Sequence, residues 1–374
     1  FFSPSICSTG NMDFFSFVDQ FGGDEGFGDN FTGSHFIDNG AEDDWDEKAT
    51  SCIPATVRMI SGCQDSQTSA DVSNIQSFGL PEDSWASPGG AGGACTCSFI
   101  SAMEQNPNPS WIELLETMRG ILDEKGYSQI PEISASRRVD LAETFEVQGG
   151  QQKALLVGIN YIGMQGELRG CCNDVASMKA FLEERGFNDF RVLTDDGSGD
   201  DMPTSANILE GFEWLVDGAQ AGDSLFFHYS GHGGSLRALS DDEKDGKDET
   251  IVPLDYQETG QIRDNTILQS LVLPLPAGCQ LTALMDCCHS GTVLDLPYLF
   301  TATDENLSSA NEGYTTMPIN SNFDLKFALN LAKDLFRAYQ EGGPSGALKA
   351  GMTHFMNNAS AGNFMGSKFG MFQF

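Results

Sequence analysis

Apolar runs of five to eight residues recur through the second half of the chain, each ending in a Gly/Ser turn followed by a helical period. Residues 153–160, 190–194, 224–230 and 280–286 are rich in Leu, Val and Phe without strict alternation, the pattern of strands buried on both faces of a parallel sheet. Helical spacing fills the intervals. Val175, Met178, Phe181 and Leu182 share one face before Gly186 closes that helix, and 206–218 is the next. A short strand at 250–254 and a helix near 266–273 precede the last strand. Strand–helix alternation predicts an α/β fold: a central, mostly parallel β-sheet with helices on both faces.

The first half is patterned differently. Residues 1–51 are rich in Gly, Asp and Phe with no period, and are expected to form a disordered acidic arm. From 52 to 136 the texture is that of a compact β-α-α-β unit. It has a strand at 55–60, a polar turn at 61–71, a Gly/Pro-rich loop at 87–93, helices at 94–105 and 109–125, and a strand at 129–134. In the second helix Ile112, Leu115, Met118, Ile121 and Leu122 fall on one face, and Gly126 ends it. Residues 137–152 read as a linker and 153–300 as the second unit. In 301–374 a polar linker leads to an amphipathic helix at 323–340 and a Gly/Met/Phe-rich tail, whose aromatics are expected to dock on the body.

Composition narrows the partners. The chain carries 54 acidic against 20 basic residues, a net charge of −34. That surface repels nucleic acid and anionic membrane, and favours metal ions or Lys/Arg-bearing peptides. The ten cysteines show no small-domain disulfide spacing, which fits a reducing, cytoplasmic compartment. Cys95-Thr-Cys97 is not a CxxC element, so a structural zinc site is not expected. No run of 18 apolar residues occurs, so no membrane span is expected. A monomer is expected. The chain does not begin with Met, so its start says nothing of a leader.

Chemistry concentrates where two of the strands end. His232 follows the strand 224–230, Cys288 follows 280–286, and both sit in Gly/Ser turns. Loops beyond the carboxyl ends of parallel strands are where open α/β sheets place their sites. An imidazole beside a thiol suffices for covalent catalysis, because the base makes and holds the nucleophilic thiolate. Each residue alone reads as a core histidine or an inert buried thiol; the pairing carries the functional reading. Zinc held by His232, Cys287, Cys288 and His289 is disfavoured, since adjacent ligands seldom share one tetrahedral ion. The acidic loop 241–249 imitates an EF-hand start, with Gly246 at position 6. Val252 stands at position 12 where the bidentate Glu belongs, so it is not one.

Ser230-Gly-His-Gly-Gly234 with Asp286-Cys-Cys-His-Ser-Gly291 resembles the catalytic p20 region of the metacaspases, caspase-like cysteine peptidases. The stretches 156–160, 168–174, 249–255 and 293–298 agree with it. Residues 61–71 and 126–131 resemble the family's p10 region, which here precedes p20, an order similar to that of the type III metacaspases of algae. His232 and Cys288 lie 56 positions apart, near the caspase separation.

The resemblance implies a caspase-like fold and an endopeptidase with Cys288 as nucleophile and His232 as base. The backbone N–H groups of Gly233 and Cys288 would face the oxyanion, and Asp174 and Asp286 would grip an Arg or Lys side chain in the S1 pocket. A helix N-cap is the other reading of Asp174. The partners implied are protein or peptide substrates with Arg or Lys at the cleaved position. The cofactor implied is Ca²⁺, with Asp248, Asp264, Asn265 and Asp295 at the matching positions. Asn265 stands where another Asp is found, and a solvated acidic loop is the alternative there. Lys244, Lys247, Arg137 and Arg138 are candidate self-cleavage positions, and Cys171 and Cys172 candidates for a redox role. A calcium-responsive binding protein on the same fold is the rival to an enzyme.

Overall fold

The computed structural model describes residues 39–62, 71–72, 92–147, 149–237, 247–288, 291–335 and 337. Its strands are β1 Thr56–Ser61, β2 Asp71–Val72, β3 Gly92–Gly93, β4 Glu132–Ala135, β5 Gln152–Gly158, β6 Asp189–Thr194, β7 Ser224–Ser230, β8 Gly233–Arg237, β9 Lys247–Ile251, β10 Ile262–Arg263, β11 Gln280–Asp286 and β12 Tyr298–Thr301. Seven of them form one sheet in the order β12-β4-β1-β11-β7-β5-β6. From β1 to β6 all neighbours are parallel, while β4 pairs antiparallel with β1 and with β12. The expected α/β sheet is therefore observed, with an antiparallel edge. The two sequence units share this sheet, because β1 from the first lies directly against β11 from the second. A smaller antiparallel sheet, β10-β9-β8, projects from the end of β7.

Side-chain alternation divides the core into two layers. Leu155, Val157, Phe227, Tyr229, Ala283 and Met285 face one side of the sheet; Ala154, Leu156, Phe226 and Leu284 face the other. Helix Ser205–Val216 and a helix at 325–335 cover the first layer through Phe212, Leu215, Ala328 and Leu331. Three helices cover the second: α2 Ala94–Gln105, α3 Trp111–Glu124 and α4 Cys171–Glu183. α3 starts where Ser110 and Glu113 form a reciprocal capping box, two residues later than the pattern alone predicts.

Four expectations are corrected. The arm 1–51 is not irregular throughout, because Asn39–Cys52 is a helix, α1, whose Ala49 and Cys52 are buried. The stretch 137–152 is not a loose linker; Val139, Leu141, Phe145 and Val147 are buried in it. The linker at 301–320 contains a helix, Asp304–Asn311, and buries Ala302 and Met317. The helix near 266–273 is a short α turn, Asp264–Ile267, running into a π turn, Leu268–Val272, which places Leu268, Leu271 and Val272 in the core. Residues 1–38 and the tail beyond 337 lie outside the described residues.

Candidate active site

β7 and β11 run parallel in a register that pairs Ser230 with Asp286. His232 and Cys288 therefore leave the sheet at the same level, each two residues past its strand. The Gly231 N–H donates to the Asp286 carbonyl at 3.3 Å, extending the contact beyond the ladder. Gly233 then lies against the main chain of Cys288, so closely that a Cβ there would collide with the Cys288 carbonyl oxygen. The expected juxtaposition of the two turns is thus present.

The adjacent cysteines differ. Cys287 is fully buried in the same core layer as Met285, whereas Cys288 alone among the described cysteines is partly exposed. None of the described cysteines, Cys171 and Cys172 included, is in a disulfide. Burial, then the charges of Asp196 and Asp195, push the Cys172 thiol up, the opposite of a reactive cysteine.

His232 is half-buried, and its Nε2 lies 2.6 Å from the Gly166 carbonyl in the loop after β5. A carbonyl only accepts, so Nε2 carries the proton and Nδ1 is left as the basic nitrogen. His228, one strand-step earlier, is fully buried, and burial holds its imidazole down to about 3. It is a neutral core group hydrogen-bonded to the Thr96 hydroxyl at 3.2 Å.

Asp174 and Asp286 are both buried and converge on the start of α2, whose N-cap Gly93 offers no side-chain cap. The Gly93 N–H donates to both oxygens of Asp174 at 2.8 Å, and the Thr96 N–H donates to Asp286 at 2.8 Å. Ser230 adds a hydroxyl hydrogen bond to Asp174 at 2.7 Å. Two carboxylates from the second unit thus satisfy the orphan N–H groups of a helix from the first. Gly93 is obligatory, since a Cβ would enter the Asp286 carboxylate. Asp174 does not cap its own helix; it lies within α4's first turn, beyond the N-cap Gly170.

The other expected positions are more scattered. Asp248, Asp264 and Asn265 meet at the β9–β10 corner. There Asp264 accepts from the N–H groups of Glu249 and Asn265 at 2.6 Å, and Arg263 forms an ion pair with Asp248. Asp295 has a left-handed backbone (φ 47°), and its charge helps burial raise the Cys52 thiol. Among the described residues no group of three or more His, Cys, Asp or Glu side chains is placed to hold a metal. The corner does supply buried hard-oxygen donors already matched to one positive charge, which fits a hard cation. Lys247 is exposed at the start of β9, and Lys244 lies outside the described residues. Arg137 and Arg138 are not on an exposed loop. Arg137 donates to the Pro54 carbonyl at 2.8 Å, and Arg138 pairs with Asp46 of α1 at 2.8 Å, which removes both as open cleavage sites.

Comparison with known sequences decides the family. The metacaspase, peptidase C14 domain matches residues 152–297, and the caspase domain matches residues 14–142. "Metacaspase III c" of Phaeodactylum tricornutum is 44% identical over 307 residues, 78% of this chain and 87% of that protein. The chain belongs to the metacaspase family. "Metacaspase-1" of Mycosarcoma maydis is 50% identical over 197 residues, and that of Schizosaccharomyces pombe 45% over 211. The chain spans 49% of the length of each of these two fungal relatives. A metacaspase is a cysteine peptidase, a hydrolase acting on protein substrates, and no described helix is long and apolar enough to cross a membrane. Sequence reading missed three groups that shape this metacaspase's site: the Gly166 carbonyl, the Gly93 and Thr96 N–H groups, and Tyr161 beneath His232. All but Tyr161 act through the main chain, which leaves no side-chain signature. The glycines at 163 and 166, both at positive φ, were the available signal for the loop.

Proposed function

We propose that this metacaspase is a calcium-activated endopeptidase cutting after Arg or Lys, with Cys288 as nucleophile and His232 as base. One observation supports the dyad above all. The main chain of the partly exposed Cys288 lies against Gly233, the residue after a histidine whose Nε2–H is committed to Gly166. His232 Nδ1 takes the proton from Cys288 Sγ, and the thiolate attacks the scissile carbonyl carbon. The backbone N–H groups of Gly233 and Cys288 face the developing oxyanion. As the C–N bond breaks, the imidazolium returns its proton to the leaving amine. Water, deprotonated by the same Nδ1, then releases the acyl group and regenerates the thiol.

Charge supports the specificity. The Gly93 and Thr96 N–H groups and the Ser230 hydroxyl are neutral donors to Asp174 and Asp286, so these contacts cancel none of the carboxylate charge that would meet a guanidinium or ammonium. The order of the two matched domains supports a type III arrangement, with the p10-like segment completing the pocket from upstream. Calcium, when bound, would be held at the β9–β10 corner by Asp248, Asp264 and Asn265 and would supply positive charge among these acids, with Asp295 the fourth position that the family resemblance implies. Exposed Lys247 and nearby Lys244 are the self-cleavage positions this reading favours.

A fluorogenic Arg-ended peptide assayed with calcium and with chelator, beside Cys288→Ala, tests the whole reading. Turnover is expected only with calcium and is lost in Cys288→Ala. Turnover that survives Cys288→Ala sinks the dyad; preference for Asp-ended peptides sinks the pocket; indifference to chelation sinks the switch.

A further inference from the structure

The antiparallel ladder between β8 and β9 begins at the pair Gly233 and Ile251, so the pair one step earlier is His232 and Val252. Half of that pair is bonded directly, with the Val252 N–H donating to the His232 carbonyl at 3.1 Å. The other half is not. The His232 N–H donates to the Tyr161 hydroxyl at 3.1 Å, and that hydroxyl donates to the Val252 carbonyl at 2.6 Å. Tyr161 Oη thus takes the place of one ladder hydrogen bond, receiving from one strand and giving to the other. Tyr229 supports the opposite half, donating to the His232 carbonyl at 2.8 Å and accepting from the Val252 N–H at 3.2 Å. Burial raises both tyrosines well above the ordinary range, so each keeps the one proton this pattern needs.

Three further features single out Tyr161. Its ring lies under the imidazole, centroids 4.7 Å apart and planes inclined by 33°. Its backbone is left-handed (φ 52°), a costly conformation for a large aromatic residue that persists only where surrounding contacts enforce it. It also belongs to the loop whose Gly166 carbonyl fixes His232 Nε2. One loop therefore holds the histidine by its main-chain N–H, its ring face and its ring N–H.

We propose that Tyr161 is the positioning residue of the base: its hydroxyl wedges open the ladder at His232 and Val252, and its ring holds the imidazole toward Cys288. The role rests on the Cys288–His232 reading. Tyr229, bonded to the same main chain, anchors the strand.

The test is the pH dependence of Cys288 alkylation by iodoacetamide, followed by mass spectrometry on the whole chain without substrate. It is run for the wild type, His232→Ala, Tyr161→Phe, Tyr161→Leu and Tyr229→Phe, with thermal melts and kcat and KM on the Arg peptide. The wild type is expected to show a His232-dependent thiolate titrating below the ordinary cysteine range. Tyr161→Phe keeps the ring and is expected to lower kcat about tenfold with KM little changed, a loss within what misdirecting a general base costs. Tyr161→Leu is expected to move the alkylation profile to that of His232→Ala, and Tyr229→Phe to lower the melting temperature while leaving the profile in place. If Tyr161→Leu does not fold, Tyr161→Phe decides by its kcat. A folded Tyr161→Phe with wild-type kcat and profile overturns the role of Tyr161 and leaves the dyad standing. A wild-type thiolate indifferent to His232→Ala overturns the dyad and this role together.

Discussion

Two clusters of buried acid lie near the candidate dyad, and they are held in opposite ways. Asp174 and Asp286 are met by the N–H groups of Gly93 and Thr96 and the Ser230 hydroxyl, all neutral donors. Asp248 is met by the guanidinium of Arg263, with Asp264 alongside on main-chain N–H groups. Dipoles satisfy a carboxylate's lone pairs without cancelling its charge; an ion pair cancels it. The three donors therefore leave the charge of the first cluster in place, as the proposed pocket requires. The second carries its own cation, which a metal ion would have to replace. In a chain with a net charge of −34, this difference is what the proposed substrate pocket and the proposed calcium site would each depend on.

The comparison can be broken at three points. The largest effect is expected from Arg263→Gln. Removing one partner of a buried pair typically costs about 3–5 kcal/mol, so the variant should unfold at markedly lower denaturant in chelator and recover most of that loss with calcium. Equal destabilisation with and without calcium would show that the metal does not take over Arg263's role. Next comes Asp286→Asn, which keeps the shape of the group facing the Thr96 N–H but removes the charge. It should lower kcat/KM for an Arg-ended peptide about 100-fold, or nearly 3 kcal/mol, as expected for a charge-assisted contact. A loss confined to kcat and shared by peptides with uncharged residues at that position would assign Asp286 to the dyad rather than the pocket.

The smallest effect concerns what stands behind the first cluster. His228, fully buried and bonded to the Thr96 hydroxyl, is held down to about 3. Its folded value lies below that of the unfolded chain, so between about pH 6.5 and 3 the unfolded state binds the extra proton and stability falls as pH falls. By pH 5 this amounts to about 2 kcal/mol lost relative to neutral pH. His228→Met should show a shallower decline in denaturant stability between pH 7 and 5. An unchanged slope would mean that other groups account for the acid sensitivity.

Much of this was legible before the fold. The strands that carry His232 and Cys288 were readable because burial on both faces leaves an apolar run, and the turns after them because Gly and Ser break it. Helix α1 was missed although Trp45, Ala49 and Cys52 recur at helical spacing, since the acids around them dominate the composition. What secures that helix is tertiary: Arg138 and the Tyr298 hydroxyl both reach Asp46, and Trp45 meets Phe323 edge-on. The stretch 137–152 looked like a linker because its buried residues follow no single period, as befits irregular chain packed onto a core.

The sequence by itself determined the alternation of strands and helices and set one histidine and one cysteine each just past a strand, with the two acids marked by the family resemblance. These are local patterns, set by burial and by turn chemistry within a few residues. Only the tertiary structure decided that Gly93 and Thr96 would hold those acids, that Arg263 would neutralise Asp248, and that Tyr161 would enter the ladder beneath His232. Each joins residues far apart in the chain or acts through a main-chain N–H or C=O, which every residue type except proline provides alike. Such groups acquire a role only when folding aims them.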